Sequence, residues 1–151
     1  MPDNASLEET MAGIGRRLVA AAVVGSAVGA VGADLNRTHV FNPQWMPHAR
    51  FHSVAGLPSV VGWSLTGLWL LWRPGRPAER ALGLKIAALT PVLSYAPFFL
   101  ALVVPGAAVE DRPGAVPRVA GVPANILVAG LLTALSAAGY SVARREAGQR
   151  G

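Results

Sequence analysis

Residues 81–104 read ALGLKIAALTPVLSYAPFFLALVV, and Lys85 near the start is the only charge among them. A helix rises about 1.5 Å per residue and the hydrocarbon core of a bilayer is about 30 Å thick, so this run is long enough to cross one. Pro91 and Pro97 lie inside it. An interior proline costs a soluble helix about 3 kcal/mol. In a membrane bundle the freed carbonyls find other partners, so a kinked span is expected rather than a broken one.

Three further runs of the same kind flank it. The first covers 11–33, from Met11 to Ala33, with Arg16 and Arg17 near its start and no charge from Leu18 onward. Both arginines must snorkel for it to span. The second covers 55–72, AGLPSVVGWSLTGLWLLW, and ends on Trp69 and Trp72, where interfacial aromatic belts sit. Arg73, Arg76 and Arg80 follow, and Pro74, Gly75 and Pro77 break the helix. The fourth covers 122–142. Residues 1–10 form a polar tail, and 105–123 a Pro/Gly-rich loop with Glu110 and Asp111, which are expected to be solvated. The hydroxyls of Thr90, Ser94, Thr133 and Ser136 are expected to bond to carbonyls of their own helices. The expected fold is all-α, an integral membrane four-helix bundle forming a single membrane domain over 1–151.

Composition agrees: 52% of the residues are apolar and 14% charged, against about 25% charged in a soluble domain. The net charge of +5 comes from arginines at the ends of apolar runs, not from basic runs interleaved with aromatics, so no nucleic-acid partner is expected. With no cysteine, disulfides, thiolate catalysis and Cys-ligated metal sites are excluded. Nine of the thirteen Lys and Arg lie on one side: Arg16 and Arg17 near the start of the first run, Arg73, Arg76, Arg80 and Lys85 around the turn into the third, and Arg144, Arg145 and Arg150 at the C-terminus; Arg37, Arg50, Arg112 and Arg118 fall in the other two loops. The positive-inside rule then puts both termini in the cytoplasm. The Ala, Gly, Arg and Pro content points to a GC-rich genome and a bacterial cell membrane. A competing reading takes Leu18–Gly29 as the apolar region of a signal peptide cleaved after Val31-Gly32-Ala33. Gly25 and Gly29 form a GxxxG, a spacing that lets a second helix approach closely.

All three histidines lie in residues 34–52, DLNRTHVFNPQWMPHARFH. Asn42-Pro43 signals a turn. Pro47 suits the first position of a helix, where its missing N–H would have no partner. His48 and His52 then stand at i and i+4 on one helical face. With His39 and Asp34 they form a donor set suited to a divalent metal, zinc or iron. The same residues also allow metal-free proton transfer, with His48 or His52 as the base and Asp34 as a charge partner. The expected catalytic residues are therefore His48, His52 and Asp34, with Asn36, Arg50 and Trp45 contacting the substrate. A structural reading stands beside this one: Asp34 pairs with Arg37, Trp45 is a belt residue, and His48 satisfies the helix start.

The pattern THxFNPxWxPHARFH, Thr38 to His52, resembles a group of small bacterial and fungal four-span membrane proteins of unknown function. The likeness is concentrated in Asp34–His52. It implies a four-helix membrane fold and a role centred on this segment, and it transfers no substrate. The expected function is a membrane-embedded enzyme, an isomerase, cyclase or metal-dependent enzyme, acting on a small lipophilic substrate within the lipid bilayer. The alternative is a non-catalytic membrane subunit joined to a partner through Gly25 and Gly29. The spans hold no charge away from their ends, which argues against an ion-coupled carrier.

Overall fold

The computed structural model of the chain describes residues 13–110 and 114–149. The polar tail, Met11 and Ala12 of the first run, and Asp111, Arg112 and Arg150 lie outside the described residues. Four helices carry the fold: α1 Ile14–Asp34, α2 Pro47–Trp72, α3 Pro77–Ala101 and α4 Ala124–Gly148. Each is long and apolar enough to cross a membrane, and they pack on one another as an all-α four-helix bundle. The chain is an integral membrane protein.

The helix ends follow local chemistry more than hydropathy. Pro47 opens α2, so eight residues ahead of the apolar run are already helical. Arg76 and Glu79 cap the start of α3, with the backbone N–H of Arg76 donating to Glu79 Oε2 at 3.0 Å. At the other extreme α4 runs on through Arg144 and Arg145 to Gly148, because Ala, Arg and Glu are good helix formers outside lipid as well as in it. Helix α3 continues through both prolines. Thr90 and Ser94 donate to the carbonyls of Ile86 and Thr90 on their own helix. Ser136 departs from that expectation. Its hydroxyl crosses to the Ala88 carbonyl of α3 at 2.7 Å, because alanines at this crossing bring α3 and α4 close enough.

Helix α1 touches all three others, while α2 and α4 occupy opposite flanks. Its Val19, Ala22, Val23 and Ser26 are fully buried. Val19 and Val23 meet Leu71 of α2, Leu84, Ala87 and Ala88 of α3, and Ala143 of α4 in the larger core cluster. A smaller cluster, Tyr95, Ala129 and Leu132, lies toward the opposite end. The larger cluster belongs to the end where the arginines gather. There the Arg16 guanidinium donates to the Leu71 carbonyl and lies 5.0 Å from the Trp72 ring. It thereby satisfies a carbonyl in the last turn of α2 that has no partner within its own helix.

Lipid offers no hydrophobic drive between helices, so close packing must hold them together. Glycine makes this possible. A Cβ on Gly139 of α4 would stand 2.8 Å from Leu18 Cβ and 2.9 Å from both Gly15 O and Val19 N. A Cβ on Gly15 would strike the backbone of Ala143, and one on Gly83 the Leu70 carbonyl. Gly25 and Gly29 serve the same purpose inside the chain: a Cβ there would meet Leu132 Cδ2 at 2.7 Å and Tyr95 Oη at 2.9 Å.

Gly15→Leu should therefore lower bundle stability in detergent by about 1–3 kcal/mol, the usual cost of overpacking. Gly62→Ala, where no atom lies within 4 Å of the added carbon, should leave it unchanged or slightly raised. Unfolding of both variants in mixed micelles checks the pair.

Candidate functional site

The end of the bundle opposite Arg16 and Arg73 is built around one amide. Asn36 Nδ2 donates to the carbonyls of Gly32 at 3.0 Å and Ala33 at 2.6 Å, closing the last turn of α1. Carbonyls only accept, so this fixes which side of the amide is nitrogen. Asn36 Oδ1 then accepts from the backbone N–H groups of Thr38 at 2.8 Å and His39 at 3.2 Å, and from the Thr38 hydroxyl at 2.6 Å. The residue expected to touch substrate is spent on holding its own loop.

These bonds also set the state of His39. Thr38 has one hydroxyl proton, and Asn36 Oδ1 takes it. The 2.9 Å contact between Thr38 Oγ1 and His39 Nδ1 therefore requires Nδ1 to donate. In the neutral ring Nε2 is left with a free lone pair. Trp45 packs against the ring in an edge-to-face arrangement, with centroids 5.0 Å apart and planes at 72°. The carboxylate of Asp34 lies within electrostatic reach of His39 and of the Tyr95 phenol. Among the described residues it has no ion-pair partner, Arg37 included. Tyr95 is buried and donates to the Ser26 carbonyl at 3.1 Å.

The rest of the segment leads into α2. Asn42 Oδ1 accepts from the Gln44 N–H at 3.0 Å, the turn that Asn-Pro signals. Arg50 reaches back from α2 to donate to the Asn42 carbonyl at 2.6 Å, so it braces the loop. His48 and His52 are exposed on α2, with their Nε2 atoms 3.1 Å apart. Among the described residues no three His, Asp or Glu side chains are gathered as a shared metal would need. The expected set of His39, His48, His52 and Asp34 is thus divided between two places: the foot of the loop and the surface of α2.

A second wall comes from the loop ahead of α4. Glu110 Oε1 bonds Arg118 at 2.6 Å, and Oε2 accepts from the N–H groups of Gly114 at 3.1 Å and Val116 at 3.2 Å. The Arg118 hydrogen bond, and then the backbone bonds, hold this carboxyl below the ordinary glutamate range. Asn125 ties the loop to α4 by donating to the Val109 carbonyl at 3.2 Å. A short hairpin, β1 Arg118–Val119 and β2 Val122–Pro123, turns through Ala120 and Gly121, both at positive φ.

Between the two loops lies a cavity of about 620 Å³, with Arg37, His39, Asn42 and Trp45 on one side and Val109 and Glu110 on the other. A second cavity of about 410 Å³ lies between α3 and α4, lined by Phe98, Leu102 and Ile126 among others. The two share Ala108 and Val109 as a common wall. Sequence reading missed the orienting role of Thr38 and the structural tie of Glu110. The Asn-x-Thr spacing, which permits a local side-chain turn, is the signal for the first. Nothing local signals the second, since Arg118 lies eight positions away.

Fold and site together define a small four-span membrane protein with a polar chamber at one end of its bundle. Within that class the chain belongs to a family of unknown function, DUF6640, whose model matches residues 18–151. No curated protein and no solved structure matches it.

Two outcomes are expected by nuclear magnetic resonance. The ¹⁵N shifts of His39 should report protonated Nδ1 and bare Nε2 in the neutral ring, and Thr38→Val should remove that bias while Thr38→Ser keeps it. The amide signals of Gly114 and Val116 should titrate with Glu110. Because its folded pKa is depressed, the tie contributes fully above the ordinary value of 4.5 and is lost as pH falls through the lower folded value. Glu110→Gln should abolish that titration.

Proposed function

We propose that the chain is a membrane-embedded enzyme acting on a small lipophilic substrate with a polar head, through proton transfer at His39. The observation that carries this reading is the shared wall at Ala108 and Val109, which sets a polar chamber beside an apolar one. An amphiphile has the same two-part character. Its head would meet Arg37, Asn42 and Trp45, and its apolar part would lie along Phe98, Leu102 and Ile126.

In this reading His39 is the base, since Thr38 leaves its Nε2 lone pair free. Asp34 lies within electrostatic reach of the ring as a charge partner, and Trp45 restricts the ring. Isomerisation or cyclisation of an isoprenoid-like or quinone-like molecule needs a proton removed from one carbon and returned to another. The central role thus passes from His48 and His52 to His39, with Asp34 kept as partner. We read the chamber as facing outward from a bacterial cell membrane, with both termini cytoplasmic; the eight described basic residues toward the opposite end support this. The competing reading, a non-catalytic subunit joined through Gly25 and Gly29, is weakened because both glycines already receive neighbours within the chain.

The test is solvent-proton exchange. Protein in nanodiscs is incubated with a lipophilic extract of the host membrane in deuterated water, and the extract is read by mass spectrometry. The native chain should label one class of molecule. His39→Ala and Asp34→Asn should lose that labelling, Ala108→Trp should reduce it by obstructing the shared wall, and His48→Ala should retain it. Labelling that survives His39→Ala, or none above a protein-free control, overturns the reading.

A further inference from the structure

The histidine pair on α2 lies outside the chamber lining, and the proton-transfer reading does not use it. We infer that His48 and His52 form a clamp for a single divalent late first-row cation, such as copper, nickel or zinc, at the membrane surface.

The argument starts from the helix. Residues at i and i+4 lie one turn apart on the same face, and both imidazoles turn their Nε2 atoms toward each other. The ring centroids are 4.5 Å apart with planes at 87°, and the nitrogens are 3.1 Å apart. Bonds from zinc to imidazole nitrogen are about 2.0–2.1 Å long. Two such bonds on one ion place the nitrogens about 2.9 Å apart at a right angle and about 3.4 Å apart at a tetrahedral angle. The observed separation falls between these values. A cation would fit with small ring rotations and no movement of the backbone.

The remaining surroundings favour the same use. Both rings are exposed, so a hydrated ion can reach them. Phe51 packs against His52, with centroids 5.6 Å apart and planes at 75°, which limits the freedom of that ring. In the cation-free pair, one Nε2–H donates to the other Nε2 lone pair. Binding needs both lone pairs, so the donor ring moves its proton from Nε2 to Nδ1, with no net release. Two protein nitrogens leave the other positions of the ion open to water, which makes the site exchangeable rather than structural. Imidazole suits copper, nickel and zinc, and the general affinity order puts copper first.

The full chain is purified through a tag without histidine and titrated with copper(II), read by electron paramagnetic resonance with pulsed detection of coordinated imidazole nitrogen. The native chain should bind one copper ion with two imidazoles. His48→Ala and His52→Ala should each lose the two-imidazole signature, and His39→Ala should keep it. Because the rings are exposed, the single variants should fold as the native chain does, which thermal unfolding without copper verifies. A further variant joins His52→Ala to Ser53→His, keeping the histidine count but breaking the one-turn spacing; it should lose the signature too. A two-imidazole signal that persists in His48→Ala or in the spacing variant overturns the proposal, as does an absence of bound copper in the native chain. Either result leaves the His39 reading untouched, because deuterium exchange tests that separately.

Discussion

The bundle depends on how closely α1 approaches its neighbours. In lipid an apolar side chain gains little by leaving the acyl chains for a protein partner, so contact and internal hydrogen bonding must supply the association. Gly15 and Gly139 let α1 and α4 meet backbone to backbone, and Gly83 brings α3 against Leu70 of α2. With α1 central, Arg16 can reach the end of α2, and Tyr95 of α3 can donate to the Ser26 carbonyl. Removal of α1 as a signal peptide would take Val19, Ala22, Val23 and Ser26 from the centre of the molecule.

The two ends of the bundle divide the work unequally. The larger core cluster serves the arginine end, where small residues pack tightly. Toward the other end the cluster shrinks to Tyr95, Ala129 and Leu132, and the first ten residues of α2 bury none of their members. The space not filled by side chains is covered by two loops instead. Each loop satisfies its own backbone through one polar side chain: Asn36 on one side and Glu110 on the other. That self-sufficiency allows irregular chain to line a chamber beside the membrane.

What could be read in the sequence was what local chemistry determines. The four spans follow from charge-free runs such as 81–104, and the helical start at Pro47 follows from its missing N–H. The one-turn spacing of His48 and His52 follows from counting. Hydropathy misplaced several ends, because it registers apolar character and not helicity: α4 continues through Arg144 and Arg145, where the apolar pattern stops. The chamber was not legible, since it needs the loop after α1 and the loop before α4 to face each other across about seventy residues of chain. Nor was the distinction among the three histidines, which rests on where a single hydroxyl proton goes.

Asn36 has a consequence for how such a protein can change over generations. One amide closes the end of α1 and, through Thr38, sets the protonation pattern of His39. Any substitution there is felt twice, once by the helix and once by the imidazole. Effects at 36 and 38 will therefore not add, as is usual for members of one hydrogen-bonded network. Exposed Arg37 and Gln44 could change with little penalty to the scaffold, whereas position 36 cannot change without disturbing both the helix end and the loop.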